Sequence, residues 1–259
     1  MMIVEQMLKN PPKPLLHIAD VSGSALFQGD CLDIMPLIPD NSIDLILCDI
    51  PYGTTACKWD SVIPFDKMWE QLKRIRKDNT AILLFGSEPF SSNLRMSNMK
   101  EYKYDWIWDK KKPSTGLHAN IMPLKKHEII SVFYQKSGKY HPIMEDSENR
   151  IDKPRMANNG EAFGGKEILR QHTNNGKKYP KSIIEISNAN QNNRYHGTQK
   201  PLELMEYLIN TYTNENDLIL DFTCGSGTTL VAAKNLNRKF IGIEKEPKYY
   251  EIACRRCGF

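Results

Sequence analysis

Apolar residues along the chain follow two rhythms. Ile43 to Cys48 (IDLILC) is a short, largely apolar run bounded by Asn41 and Pro51, and Ala81 to Phe85 (AILLF) is a second. Such runs predict parallel strands buried on both faces. Between them Phe65, Met68, Trp69, Leu72 and Ile75 recur at helical spacing. Tyr104 to Trp108 and Ile129 to Tyr134 (IISVFY) predict two further strands. The same alternation returns near the C-terminus. Leu202, Met205, Leu208, Ile209 and Tyr212 share a helix face, Leu218 to Phe222 reads as a strand and Thr228 to Leu236 as a helix. Phe240 to Glu244 then reads as a strand, and a final helix ends the chain. The expected fold class is α/β with a mostly parallel sheet.

Two stretches break the rhythm. Residues 1 to 25 hold a short helical pattern followed by Pro11, Pro12 and Pro14, which predict an extended lead-in. From Lys139 to about Tyr195 the apolar periods thin out and Asn, Gly, Lys and Arg repeat, with Asn-Asn-Gly and Asn-Asn pairs that signal turns. The organisation expected is one domain over 1–259 carrying an inserted region at 139–195.

Composition narrows this little. The chain has 259 residues, 40% hydrophobic and 25% charged, with a formal net charge of +4. That suits one sizeable core and permits a polyanionic partner without requiring one. No apolar stretch is long enough for a membrane span and the N-terminus lacks an apolar leader, so a cytoplasmic location is expected. The six cysteines are scattered, which suits reduced thiols. Cys254 and Cys257 form a Cys-x-x-Cys pair with no second pair, and are expected as two thiols on a helix; no metal is expected.

The chemistry begins with Asp217 to Glu244 (DLILDFTCGSGTTLVAAKNLNRKFIGIE). A strand ends at Asp221 and Phe222, a tight turn holds Gly225 and Gly227, and a helix starts at once. The next strand ends in Glu244, about twenty residues past the turn, where a carboxylate can bind both hydroxyls of a ribose. This predicts an adenosine-binding βαβ unit. A dinucleotide would call for a third glycine where Leu230 stands. The second unit is Asp49-Ile50-Pro51-Tyr52, directly after the IDLILC strand. A carboxylate and an aromatic ring are thereby set at a strand's C-terminal end, where open α/β sheets bind ligands.

Asp49 to Tyr52 resembles the Asp-Pro-Pro-Tyr motif of DNA amino-methyltransferases, and DFTCGSGTT (221–229) resembles their cofactor motif, commonly Asp-Pro-Phe-x-Gly-Ser-Gly-Thr-Thr. HGTQKP (196–201) is similar to the His-x-Thr-Gln-Lys-Pro segment that precedes the cofactor motif in their beta group, and Gly29-Asp30 also fits. The order of catalytic motif, insertion and cofactor motif is that of the beta group. The resemblance implies a class I S-adenosylmethionine-dependent methyltransferase fold: Rossmann-like, circularly permuted, with a seven-stranded mostly parallel sheet and a small inserted target-recognition region. It implies Asp49, Ile50, Pro51 and Tyr52 as the catalytic set. The implied cofactor-binding set is Asp30, Cys31, Asp49, His196, Thr198, Lys200, Asp221, Phe222, Thr223, Cys224, Gly225, Ser226, Gly227 and Glu244. Ile50 departs from the usual proline, and Phe222 and Thr223 stand where proline and phenylalanine are common.

The activity so implied is methylation of an exocyclic amino group in DNA, with S-adenosylmethionine as methyl donor. Asp at position 49 favours adenine N6, with cytosine N4 the alternative. An RNA or protein-glutamine methyltransferase fits the permuted order less well, and a catalytically inactive adenosine- or DNA-binding module is the reading from another class. Partners implied are double-stranded DNA with a flipped target base, a homodimer and a cognate restriction enzyme. DNA contacts are expected from the insertion and from Lys110, Lys111 and Lys112.

Overall fold

The computed structural model describes residues 7, 18–21, 23–54, 60–113, 119–148, 155–158, 167–170, 175–188 and 199–259. Strands β1 (Ile18–Val21) and β2 (Ser24–Gln28) lead into the one-turn helix α1 (Cys31–Ile34). There follow β3 (Ile43–Cys48), α2 (Phe65–Ile75), β4 (Arg76–Gly86), α3 (Phe90–Ser97), β5 (Tyr102–Asp109) and β6 (His127–Phe133). Two small antiparallel ladders come next. One pairs β7 (Glu145–Asp146) with β10 (Lys177–Lys178), the other β8 (Arg155–Asn158) with β9 (Glu167–Arg170). The chain closes with β11 (Ile183–Glu185), α4 (Leu202–Tyr212), β12 (Leu218–Asp221), α5 (Thr228–Asn235), β13 (Lys239–Glu244) and α6 (Pro247–Cys257).

The main sheet runs β1-β2-β13-β12-β3-β4-β6-β5-β11. Neighbours from β2 to β4 are parallel, and β6 is antiparallel to both β4 and β5. The stretch from β2 to β5 is therefore the seven-stranded sheet expected, with the short β1 and β11 added at its two edges. The permutation is visible in the centre. β12, from late in the chain, lies beside β3, from early in it, in the register Ile219↔Leu45 and Leu220↔Ile46. One crossover leaves β12 through α5 to β13 and another leaves β3 through α2 to β4, in opposite directions across the sheet. Their divergence opens a crevice at the C-terminal ends of the two strands.

Both faces of the sheet are covered, which is why the central strands read as unbroken apolar runs. Ile46 and Cys48 of β3 pack with Met68, Leu72 and Ile75 of α2. Leu45 and Leu47 point the other way, into the layer that holds Leu204 and Leu208 of α4 with Ala232 and Ala233 of α5. Helices α5 and α3 differ in legibility: α3 (FSSNLRMS) carries no clear apolar period, because its outer face is polar and only Phe90, Ser91 and Leu94 are buried. Strand β2 (SALFQ) likewise leaves little signal, since its fully buried run is only three apolar residues long, Ala25 to Phe27, between the polar Ser24 and Gln28.

The chain divides into a main unit, Met1–His141 with Ser182–Phe259, and a compact small unit, Pro142–Lys181. Within the expected insertion 139–195, two parts belong to the main unit. Lys139 bridges Asp217 at 2.5 Å and Asp44 at 3.2 Å, and β11 extends the sheet beside β5.

Gly242 of β13 sits level with Asp221 of β12 and lets α5 lie close to the sheet. A Cβ there would meet Leu230 Cδ1 at 2.5 Å and Leu26 Cδ1 at 2.8 Å. Gly242→Val is therefore expected to destabilise the fold by about 1–3 kcal/mol through overpacking. Urea unfolding measures it, and an unchanged midpoint would show that α5 has slack to move.

Candidate active site

The ends of β2, β13, β12 and β3 open on one cavity of about 300 Å³. Backbone bonds carry the ladder into the loops beyond the strands: Gly29 N donates to Glu244 O at 3.0 Å and Cys224 N to Ile243 O at 2.9 Å. Gly225 (φ +53°) and Gly227 (φ +78°) take the left-handed backbone that side chains disfavour, and so reverse the chain between β12 and α5. Gly225, Ser226, Cys224, Thr223, Phe222 and Asp221 all line the cavity. Gly227 lies behind it, where a Cβ would stand 3.0 Å from that of Ala253 on α6. From the same helix Arg256 donates to Ser226 O at 2.6 Å and Thr228 Oγ1 at 3.2 Å, fixing the turn from outside.

Glu244 closes the cavity on one side. Its Oε2 accepts from Gly225 N and its Oε1 from Glu246 N, both at 2.8 Å, and each oxygen keeps a lone pair for a ligand hydroxyl. Burial pushes its carboxyl up to about 7, against the partial relief of those two N–H groups. Asp221 is pushed up to about 6, again by burial, with Thr229, Cys48 and the Thr223 N–H opposing. Asp30 caps α1 by accepting from Leu32 N at 2.9 Å and pairs with Lys245 at 3.1 Å. Burial and the neighbouring Asp30 push the Cys31 thiol up to about 12, so it lines the cavity as a neutral group.

Asp49 stands across the cavity. Thr223 ties its loop to the glycine turn: Thr223 Oγ1 donates to Asp49 O at 3.1 Å and lies 3.0 Å from Cys48 Sγ. The departure from the family pattern at Thr223 thus has a structural use. Ile50 does too, its side chain being 2% exposed in the core. Both Asp49 oxygens are engaged. Oδ1 accepts from Tyr52 OH at 2.7 Å, and Oδ2 pairs with Lys200 Nζ. The Tyr52 ring packs on Phe90 with centroids 5.1 Å apart. Burial and the Asp49 charge raise its phenol well above the usual range, so it remains a donor.

Every sequence-predicted site residue among those described lines this cavity except Gly227; His196 and Thr198 lie outside the described residues. Two groups were misread or missed. Lys110, expected on phosphates, is buried and pairs with Glu128, while Lys111 and Lys112 are exposed. Glu128 lines the cavity and lies 3.2 Å from Lys200. Its position in Lys-His-Glu, just before an apolar run, reads from sequence as a solvated lead-in to the strand. Among the described residues no group of His, Cys, Asp and Glu is arranged to hold a metal ion; Cys254 and Cys257 stand on α6. No helix of the described residues is long and apolar enough to cross a membrane.

A family model described as DNA methylase matches residues 43–255. The chain is 28% identical over 268 residues to the type II methyltransferase M2.MboI of Moraxella bovis, covering 92% of this chain and 89% of that protein. Among solved structures it resembles the PvuII DNA methyltransferase (cytosine-N4-specific) with a TM-score of 0.67 at 16% identity, over 90% of this chain and 86% of that one. It also resembles the M1.HpyAVI–SAM complex with a TM-score of 0.61 at 24% identity, over 90% and 98%. At these identities the two structures speak for the fold.

A carboxyl raised from 4.5 to about 7 binds its proton more tightly in the fold than in the unfolded chain. Glu244 therefore costs stability progressively as pH rises from about 4.5 through 7, and the cost stays constant above. Glu244→Gln removes that dependence. Between about pH 5 and about pH 8 the stability difference between variant and wild type should shift in the variant's favour by on the order of 2 kcal/mol, read from urea midpoints. A difference that does not change with pH would refute the raised carboxyl.

Proposed function

The chain belongs to the N6/N4 DNA methylase family, and from that premise we propose that it transfers a methyl group from S-adenosylmethionine to the exocyclic N6 of adenine in DNA. The observation that carries this reading is the Asp49 carboxylate, held by Tyr52 and Lys200 at the mouth of β3 and tied through Thr223 to the glycine turn of β12. The residues fit the cofactor. Glu244 offers carboxylate oxygens for ribose hydroxyls, the backbone of Cys224 to Ser226 allows close approach, and Asp30 faces the same cavity for the adenine.

When bound, S-adenosylmethionine supplies a methyl group on a sulfonium, and the electron pair of the broken C–S bond returns to sulfur as the lone pair of the base nitrogen bonds the methyl carbon. The chain's task is to make that nitrogen a nucleophile. The adenine amino lone pair is delocalised into the ring, and positive charge grows on nitrogen as the new bond forms. Asp49 accepts one amino hydrogen and the Ile50 carbonyl the other, which turns the lone pair out of the ring and stabilises the developing charge in a preorganised site. One proton then leaves nitrogen for solvent. Tyr52 provides a face for the extrahelical base, whose stacking, at about 1–3 kcal/mol, is comparable with the cost of flipping. The region 139–195 and the exposed Lys111 and Lys112 are the proposed DNA contacts, and a cognate restriction enzyme is the proposed working partner.

Cytosine N4 is the second reading, favoured by the likeness to a cytosine-N4-specific enzyme. Expression in a methylation-free host, followed by hydrolysis and chromatography of the genomic DNA, separates the two: N6-methyladenine supports the proposal, and N4-methylcytosine alone would replace it. Asp49→Ala is expected to lower kcat by about 10³-fold or more, while calorimetry finds S-adenosylmethionine affinity within about threefold of wild type. Retained turnover would overturn the assigned role. Tyr52→Ala should weaken trapping of an extrahelical base by about 5- to 100-fold, seen as lost fluorescence gain from 2-aminopurine at the target position; an undiminished gain would remove Tyr52 from that task.

A further inference from the structure

Lys200 sets an electrostatic problem beside Asp49. It is 7% exposed, its ammonium pairs with Asp49 Oδ2, and it lies over the Phe85 ring at 5.2 Å. A buried cation at that place opposes the positive charge that grows on the attacking nitrogen, and low polarity around it lengthens its reach. It also competes for the carboxylate oxygen that the amino group needs. The structure supplies one counterweight. Glu128, the second residue of β6 and half-buried, puts Oε2 3.2 Å from Lys200 Nζ, and its other oxygen pairs with Lys110. Burial pushes the Glu128 carboxyl up, but Lys200 and Lys110 outweigh it and hold it below the usual range, so it carries its charge.

We propose that Glu128 is a positioning residue for methyl transfer: its carboxylate anchors Lys200 and cancels its charge, leaving Asp49 free to act on the target amino group. This rests on the role given to Asp49 above. Lys110, Glu128, Lys200 and Asp49 form an alternating chain of two cations and two anions reaching from the β5–β6 margin of the sheet to the catalytic carboxylate. Neutralising Glu128 leaves the two cations with one anion, and that anion is Asp49. Lys200 then belongs to Asp49 alone. Cofactor binding is left intact, because Glu244 stands at the end of β13, two strands away from β3 and Asp49.

The test is steady-state and single-turnover methylation by the full-length protein and its Glu128 variants. Glu128→Gln is expected to lower kcat by about 30- to 100-fold with KM for S-adenosylmethionine within about threefold, the split that marks an interaction made at the transition state. A second expectation separates charge cancellation from mere support of the fold. Because Glu128 acts through Lys200, the double variant E128Q/K200M should turn over at least about fivefold faster than E128Q alone, as neighbours in one network are not additive. Glu128→Asp keeps the charge but retracts it by one methylene, and should cost about 3- to 10-fold in kcat if E128Q does not fold. Wild-type kcat in E128Q or E128D, or a double variant no faster than the single, would overturn the proposal. Retained turnover in Asp49→Ala would instead overturn the reading on which it rests.

Discussion

The hydrogen-bonded pairing of β12 with β3 is the constraint on which the site depends. It joins segments that lie far apart in the chain and aligns their C-terminal ends, so that Asp49 emerges beside Thr223, just past Asp221. Such a pairing carries a loop-closure cost, which burial on both faces of the sheet offsets. The apolar layers around Leu45, Ile46, Ile219 and Leu220 supply that burial, all four residues being fully enclosed. Thr223 then completes the junction from the polar side, with one hydroxyl touching both Cys48 and the Asp49 carbonyl. Without this seam the two motifs would not share a cavity.

Much of this was legible in the sequence because the central strands are enclosed on both faces, and such strands leave continuous apolar runs. The acid that follows each run, Asp49, Asp221 or Glu244, could be assigned to a strand end by position alone. Legibility failed where the outcome depends on tertiary partners. Lys110 looked like one of three equivalent lysines, yet the end of β5 turns it inward onto Glu128 while Lys111 and Lys112 stay exposed. Glu128 carried no local signal, since its partners Lys110 and Lys200 are distant in sequence and its own run begins with the polar Lys-His-Glu. The polar outer face of α3 and the polar ends of the short β2, Ser24 and Gln28, hid those elements.

The cavity also concentrates acids, and burial favours the neutral form of two of them, Asp221 and Glu244. Among the described residues Asp221 and Glu244 are buried with hydrogen bonds but without a cation in contact, whereas Asp49 has Lys200 and Asp30 has Lys245. One set of carboxyls is thus supported by dipoles and the other by ions. The division follows the two tasks proposed for the cavity. Ribose hydroxyls need acceptors in a fixed frame, and the methyl-accepting nitrogen needs a negative charge whose neighbours are themselves balanced.

The small unit Pro142–Lys181 leaves and rejoins the main body at two anchored points. His141 N donates to Thr211 O and Ile107 N donates to Ser182 O, each at 2.8 Å, so the frame holds its own residues on either side of the interruption. Closure entropy grows only with the logarithm of loop length, so the frame is nearly indifferent to how long the intervening segment is. Evolution can therefore exchange that segment as a cassette, lengthening or replacing it under little selective penalty from folding. A lineage built on this frame is free to diversify at one locus while its chemistry stays still.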